Sequence, residues 1–230
     1  PAVLALLRTR DPEREVMPAG VTTPSATGAS SKAPLGLIIL VGVIVWLRFA
    51  GTASTNTFFN VYLDDGLGVP TAMIGVVWAV GRLLSVPAAL ATPLAVARWG
   101  NVRTIVWGSL GLALCMLPLA LVPQWAVASV AFVGASSLFA ITTGPIRVYS
   151  QELVTPVWRP SMSASMNIGV GLSIAAMSLW GGFAIAAIGY QSLFLAGAGL
   201  TVLGALIFGF YFRRPRGELA AAAASAQIGD

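Results

Sequence analysis

Six apolar stretches, each long enough to cross a bilayer, constrain this chain more than any other feature. They lie near 35–60, 71–96, 104–122, 125–149, 161–188 and 191–212. A hydrocarbon core about 30 Å thick needs about 20 helical residues, since a helix rises about 1.5 Å per residue. No water meets the backbone in lipid, so a spanning segment must satisfy its own N–H and C=O groups, as a helix does. The separators carry helix breakers: Asp64-Asp65-Gly66 with Pro70, Trp99-Gly100-Asn101, Pro123-Gln124, Thr155-Pro156 with Pro160, and Gly189-Tyr190-Gln191. The sequence therefore predicts an all-α integral membrane protein with six transmembrane helices.

Composition agrees. Hydrophobic residues make up 57% of the chain and charged residues 9%, with a mean hydropathy of +0.86. A soluble domain carries about 25% charged residues to solvate its surface, so most of this surface faces lipid. The net charge of +5 comes from single Arg residues that punctuate apolar runs. They form no cluster on one surface, so they read as topology signals and not as a nucleic-acid footprint. The single cysteine, Cys115, lies mid-span and excludes an internal disulfide. Histidine is absent, which removes the commonest zinc ligand and proton shuttle, and no metal or cofactor is expected.

Basic residues fix the orientation. Arg8, Arg10, Arg14 and Lys32 precede the first span, Arg98 and Arg103 lie between the second and third, Arg147 and Arg159 flank the fourth-to-fifth connection, and Arg213, Arg214 and Arg216 follow the last. All eleven fall on one side and none in the opposite loops, so both ends of the segment are predicted to be cytoplasmic. Arg outnumbers Lys twelve to one, a bias of GC-rich bacterial genes, which places the expected site in a bacterial inner membrane. Residues 1–34 read as a cytoplasmic linker, with 1–7 as the end of a preceding helix, and 213–230 as a disordered tail. With no initiator Met, the chain is expected to lack an N-terminal portion.

Charges inside spans are costly unless they face a cavity or a partner. Arg48 and Arg82 sit near the centres of the first and second spans. Arg48, Thr52 and Thr55 share one helical face, with Asn56 at its edge; Arg82 shares a face with Trp78 and Ser85. Ser136, Thr143 and Arg147 form a stripe on the fourth span, where Gly144-Pro145 predicts a kink, and Asn167, Gly171 and Ser178 form one on the fifth. The third and sixth spans are almost wholly apolar and are expected to face lipid.

A cytoplasmic linker followed by six spans that end inside resembles the second half of a major facilitator superfamily transporter. Ala97-Arg98-Trp99-Gly100-Asn101-Val102-Arg103 is similar to that family's loop motif D-R-x-G-R-[RK], with Arg98 and Gly100 matching, Arg103 one place late, and Ala97 in the acidic position. Glu152 and Arg159 resemble the E-x6-R element of some members, and Arg48-Phe-Ala-Gly with Asn56 resembles the opening helix of a second half. The resemblance implies two inverted three-helix repeats and alternating access against a missing six-helix half. It also implies a substrate path along Arg48, Thr52, Thr55, Asn56, Arg82, Ser136, Thr143 and Asn167, and a cytoplasmic gate at Arg98, Gly100, Arg103, Glu152 and Arg159. Two central cations without an acid inside any span point either to a small substrate that is anionic or amphipathic, or to acidic partners on the missing half. Competing readings are a self-sufficient six-helix channel or homodimeric carrier, and a non-transporting membrane subunit. An intramembrane enzyme lacks the His and paired acids that hydrolysis there needs.

Overall fold

The computed structural model describes residues 34–213 together with Gly217 and Leu219. The linker reading of 1–34, most of the tail, and the cations Arg8, Arg10, Arg14, Lys32, Arg214 and Arg216 lie outside the described residues. Among the described residues the chain is helical: α1 (Leu35–Val61), α2 (Thr71–Leu90), α3 (Thr92–Trp99), α4 (Asn101–Leu121), α5 (Trp125–Glu152) and α6 (Arg159–Tyr211). A π turn, Tyr62–Gly66, extends α1, and a 3₁₀ turn, Pro156–Trp158, leads into α6. Five segments are long and apolar enough to cross a membrane: Leu35–Gly66, Thr71–Leu90, Asn101–Leu121, Trp125–Glu152 and Pro156–Tyr211.

The last of these holds more chain than one crossing can use. As a straight rod the 53 residues of α6 would run about 80 Å, against about 30 Å of hydrocarbon. The rod breaks at Gly189, where φ 83 and ψ 172 lie in a region that only glycine enters freely. Contacts with α1 give the direction of each arm. Along 159–188, Gly169 meets Gly42 and Gly181 meets Phe58, so this arm runs parallel to α1. Along 190–211, Gly197 meets Gly51 and Ser54 while Gly204 meets Arg48 and Ile44, so this arm runs antiparallel. The same backbone conformation, φ 79 and ψ 162, occurs at Gly100 between α3 and α4. Both reversals use one glycine between two helices and no longer loop.

Six rods result, counting α2 with α3 as one and the arms of α6 as two. Gly108 against Thr142 and Gly134 against Cys115 set α4 antiparallel to α5; Gly209 against Val106 and Gly197 against Met116 set α4 antiparallel to the second arm. Gly81 against Phe132 and Thr92 against Ile141 set α2–α3 parallel to α5. Direction therefore alternates along the chain. All described cations except Arg48 and Arg82 gather at one end, Asp64 and Asp65 lie at the other, and Glu152 joins the basic end. Principal neighbours follow the order α2–α3, α5, α4, second arm, α1, first arm. Exchanging the first three rods with the last three reverses this order and leaves it otherwise unchanged.

Lipid tails are as apolar as the side chains, so packing and close approach must hold the rods together. Two apolar clusters fill the ends: Phe59, Tyr62, Met116, Phe132 and Phe194 at one, Ile38, Ile105, Ile146, Met162 and Phe208 at the other. Phe59 stacks on Phe132 with centroids 4.3 Å apart. The helix α5 continues through Pro145 instead of breaking there. Proline removes the N–H that would bond the Ile141 carbonyl, and the Thr92 hydroxyl donates to that carbonyl at 3.4 Å. The third and sixth spans, expected to face lipid, expose Trp107, Leu114 and Phe210 on α4 and the second arm, and on their inner faces bury Ser109 and Thr201.

The glycine contacts yield a matched test. A Cβ on Gly169 would lie 2.5 Å from the Gly42 carbonyl oxygen, whereas one on Gly171 would meet nothing within 4 Å. Gly169→Ala is expected to destabilise by about 1–3 kcal/mol, and Gly171→Ala to be neutral or stabilising by up to about 1 kcal/mol through helix propensity. Melting of the two purified variants checks this.

Candidate functional site

The two intramembrane arginines, one helix apart in sequence, have different fates. Arg48 is 3% exposed, on the face of α1 turned to α4 and α5. Its Nε donates to the Ser109 hydroxyl at 2.5 Å, and its Nη2 donates to the Thr142 hydroxyl. Each hydroxyl passes its own proton to its helix backbone, Ser109 to the Ile105 carbonyl at 2.6 Å and Thr142 to the Leu138 carbonyl at 3.1 Å. This leaves oxygen lone pairs facing the guanidinium. One turn on, the Gly51 N–H donates to Thr201 at 3.2 Å, and Thr201 donates to the Gly197 carbonyl at 2.8 Å. A polar layer thus ties α1, α4, α5 and the second arm of α6 together between the two apolar clusters. Nη1 of Arg48 is buried without a partner among the described residues.

Arg82 is exposed, on the flank of α2. Its guanidinium carbon lies 5.2 Å from the centroid of the Trp78 ring. Trp78 in turn donates its indole N–H to the Asn60 side-chain oxygen on α1. This relay sets the cation at a small cavity of about 30 Å³ lined by Thr52, Thr55, Asn56, Arg82 and Ser136 with Leu112, Phe132 and Phe139. About two water molecules fit such a space. The Thr52 hydroxyl is buried there without a hydrogen-bond partner among the described residues, whereas Thr55 donates back to the Gly51 carbonyl at 3.0 Å.

Arg82, Ser136 and Phe139 are shared with a larger groove of about 760 Å³ between α2–α3 and α5. Ser85, Thr92, Asn101 and Thr143 add polar groups to walls otherwise made of Ala, Val, Pro and Phe. Helix-internal bonds hold two of them, Ser85 to the Arg82 carbonyl at 2.7 Å and Thr143 to the Phe139 carbonyl at 2.7 Å. The lining holds no carboxylate, imidazole or thiol. Its chemistry is one fixed cation, hydroxyl and amide hydrogen bonds, and apolar contact.

The fold therefore collects Thr52, Thr55, Asn56, Arg82, Ser136 and Thr143 from three helices into one connected site. Arg48 lines neither the cavity nor the groove, and Asn167 is exposed on the first arm of α6, away from both. Sequence reading missed the partners that separate the arginines: Ser109 and Thr142 for Arg48, Asn60 for Trp78. Ser109 falls on the same α4 stripe as buried Ile105, Leu112 and Met116, and a hydroxyl on an apolar stripe is the one signal available.

At the basic end, Gly100 makes the α3–α4 turn, Arg98, Arg103 and Arg159 are exposed, and Glu152 closes α5. No ion pair joins Glu152 to any of these cations among the described residues. Scans against protein-family models, curated proteins and solved structures found no match.

The Arg48 geometry sets a stability prediction. Hydrogen bonds to a charged group contribute about 1.5–3 kcal/mol each, but the buried unpartnered Nη1 offsets much of that. Ser109 and Thr142 keep their backbone acceptors without Arg48. Arg48→Met is therefore expected to melt close to the parent, and Arg48→Ala, which leaves a cavity, to lose about 2–5 kcal/mol. Thermal unfolding in one detergent compares the three.

Proposed function

We propose that this chain is one six-helix half of a secondary transporter of the major facilitator type. Each of the six rods crosses the bilayer, the basic end faces the cytoplasm, and the rods form two inverted three-helix repeats. The alternation of direction, the reversible neighbour order and the matching glycine reversals at Gly100 and Gly189 support the repeat reading. The distribution of described cations supports the orientation.

The observation that carries the functional reading is the groove at Arg82. A cation seated over Trp78, whose indole is itself bonded to Asn60, and flanked by hydroxyls and apolar walls, is the chemistry of a site for a small anionic or amphipathic solute. A cation exposed at membrane depth is costly unless water or an anion meets it. The groove forms one wall of a path, and a second six-helix body supplies the other. Rocking of the two bodies exposes the site alternately to each side of the membrane. Anion recognition rests on Arg82, orientation on Asn56, Ser136 and Thr143, and the apolar remainder of the solute on Phe139 and the Ala and Val wall.

Transport of small organic anions by the full-length protein in membrane vesicles tests this reading. Arg82→Ala is expected to lower uptake or efflux at least tenfold with little change in melting, because the side chain is exposed. Arg82→Lys keeps the charge and should retain part of the rate. Undiminished transport in Arg82→Ala contradicts the assignment.

A further inference from the structure

A second concavity, which shares Asn101 with the groove, lies at the basic end between the start of α4 and the second arm of α6. Its volume is about 730 Å³. Arg103 on α4 and Arg213 just past α6 both line it, and no carboxylate does among the described residues. The Arg213 guanidinium carbon sits 4.8 Å from the Phe210 ring centroid, so the cation is seated over that ring. Trp99 and Trp107 also line it and are 54% and 67% exposed, as amphipathic rings at a membrane interface commonly are. The rest of the lining is mainly apolar, with Val102, Val106 and Leu206 among it, and Gly209 lets α4 and the second arm approach: a Cβ there would lie 3.2 Å from Val106.

Two cations and two exposed tryptophan rings in a concavity whose remaining lining is mainly apolar match one kind of molecule. A soluble anion uses the cations and leaves the apolar lining uncovered; a zwitterionic lipid brings its own cation against the arginines. We propose that this pocket binds one anionic phospholipid of the cytoplasmic leaflet, its phosphate held by Arg103 and Arg213 and one acyl chain laid along Val106 and Gly209. Anionic lipids concentrate in that leaflet, and basic pockets between helices recognise their headgroups. The choice of leaflet rests on the orientation proposed above, whereas the headgroup preference does not. Arg103, expected from sequence to serve a gate, thereby acquires a different role.

Native mass spectrometry and thermal melting of the full-length protein test this, with phosphatidylglycerol, phosphatidylcholine of the same acyl chains, and soluble glycerol phosphate as probes. Phosphatidylglycerol is expected to stay bound at one copy and raise the melting temperature, with phosphatidylcholine and glycerol phosphate at least tenfold weaker. Arg103→Gln and Arg213→Gln should each remove most of that preference, and Arg147→Gln, at the same end but outside the pocket, should keep it. Leu206→Trp, at an exposed apolar position of the lining, fills space without touching charge and should weaken both lipids. Equal binding of the two lipids, glycerol phosphate binding as tightly as phosphatidylglycerol, or equal loss in Arg147→Gln would each overturn the proposal.

Discussion

Lipid gives helices no hydrophobic reason to leave it for one another, so this bundle depends on how closely its backbones approach. The decisive approach is that of α1 to the two arms of α6. Gly169 lets the Gly42 carbonyl come near on one side; on the other, Gly197 and Gly204 admit the backbone around Gly51 and Arg48. With α1 gripped from two opposed directions, its polar residues have fixed bearings. Arg48 bonds to α4 and α5, while Thr52 and Asn56 line the small cavity with Arg82 and Ser136. Both arms can reach α1 only because Gly189 reverses the chain in a single residue.

The same constraint divides the polar groups into two sets. One is interior and satisfied mainly by the bundle: Arg48 with Ser109 and Thr142, Gly51 with Thr201. Its members sit between two apolar clusters and link four rods. The other borders space, with Arg82 leaning on Trp78 and the hydroxyls of Thr52 and Ser136 turned toward the cavity. Only the second set can meet a solute without dismantling the packing. The two arginines thus have different surroundings: Arg48 is enclosed by hydroxyls of α4 and α5, and Arg82 lies over Trp78 of its own helix beside open space.

That contrast marks how far the sequence could be read. Span length, breakers and the one-sided cations were sufficient for the helical architecture, since each is a local property of the chain. That Thr52, Asn56, Arg82, Ser136 and Thr143 belong to one candidate site was also legible, because polar groups at helical spacing in an apolar span stand out, and the fold gathers them around connected space. Whether such a residue faces a groove or another helix is a property of rotation about the helix axis, fixed by distant glycines, and Arg48 could not be told from Arg82 on periodicity. The Thr92 bond to the carbonyl freed by Pro145 likewise depends on a helix about fifty positions away. Arg103 reads as part of a cytoplasmic gate from its resemblance to a loop motif, whereas its place beside Arg213 in one pocket depends on the packing of α4 on the second arm, which no local sequence shows.

If Arg82 serves a transport path, its groove is open to water at membrane depth while the far faces of the bundle meet lipid. Cysteine accessibility reads this directly. In a Cys115→Ala background, single cysteines at Ser85, Ser136 and Thr143 report on the groove, and cysteines at Leu114 and Trp180, both exposed on the outer surface, report on the lipid face. In intact membranes a membrane-impermeant thiol reagent should label the first three and spare the last two. Equal labelling of both sets, or labelling of the outer positions alone, would contradict the account.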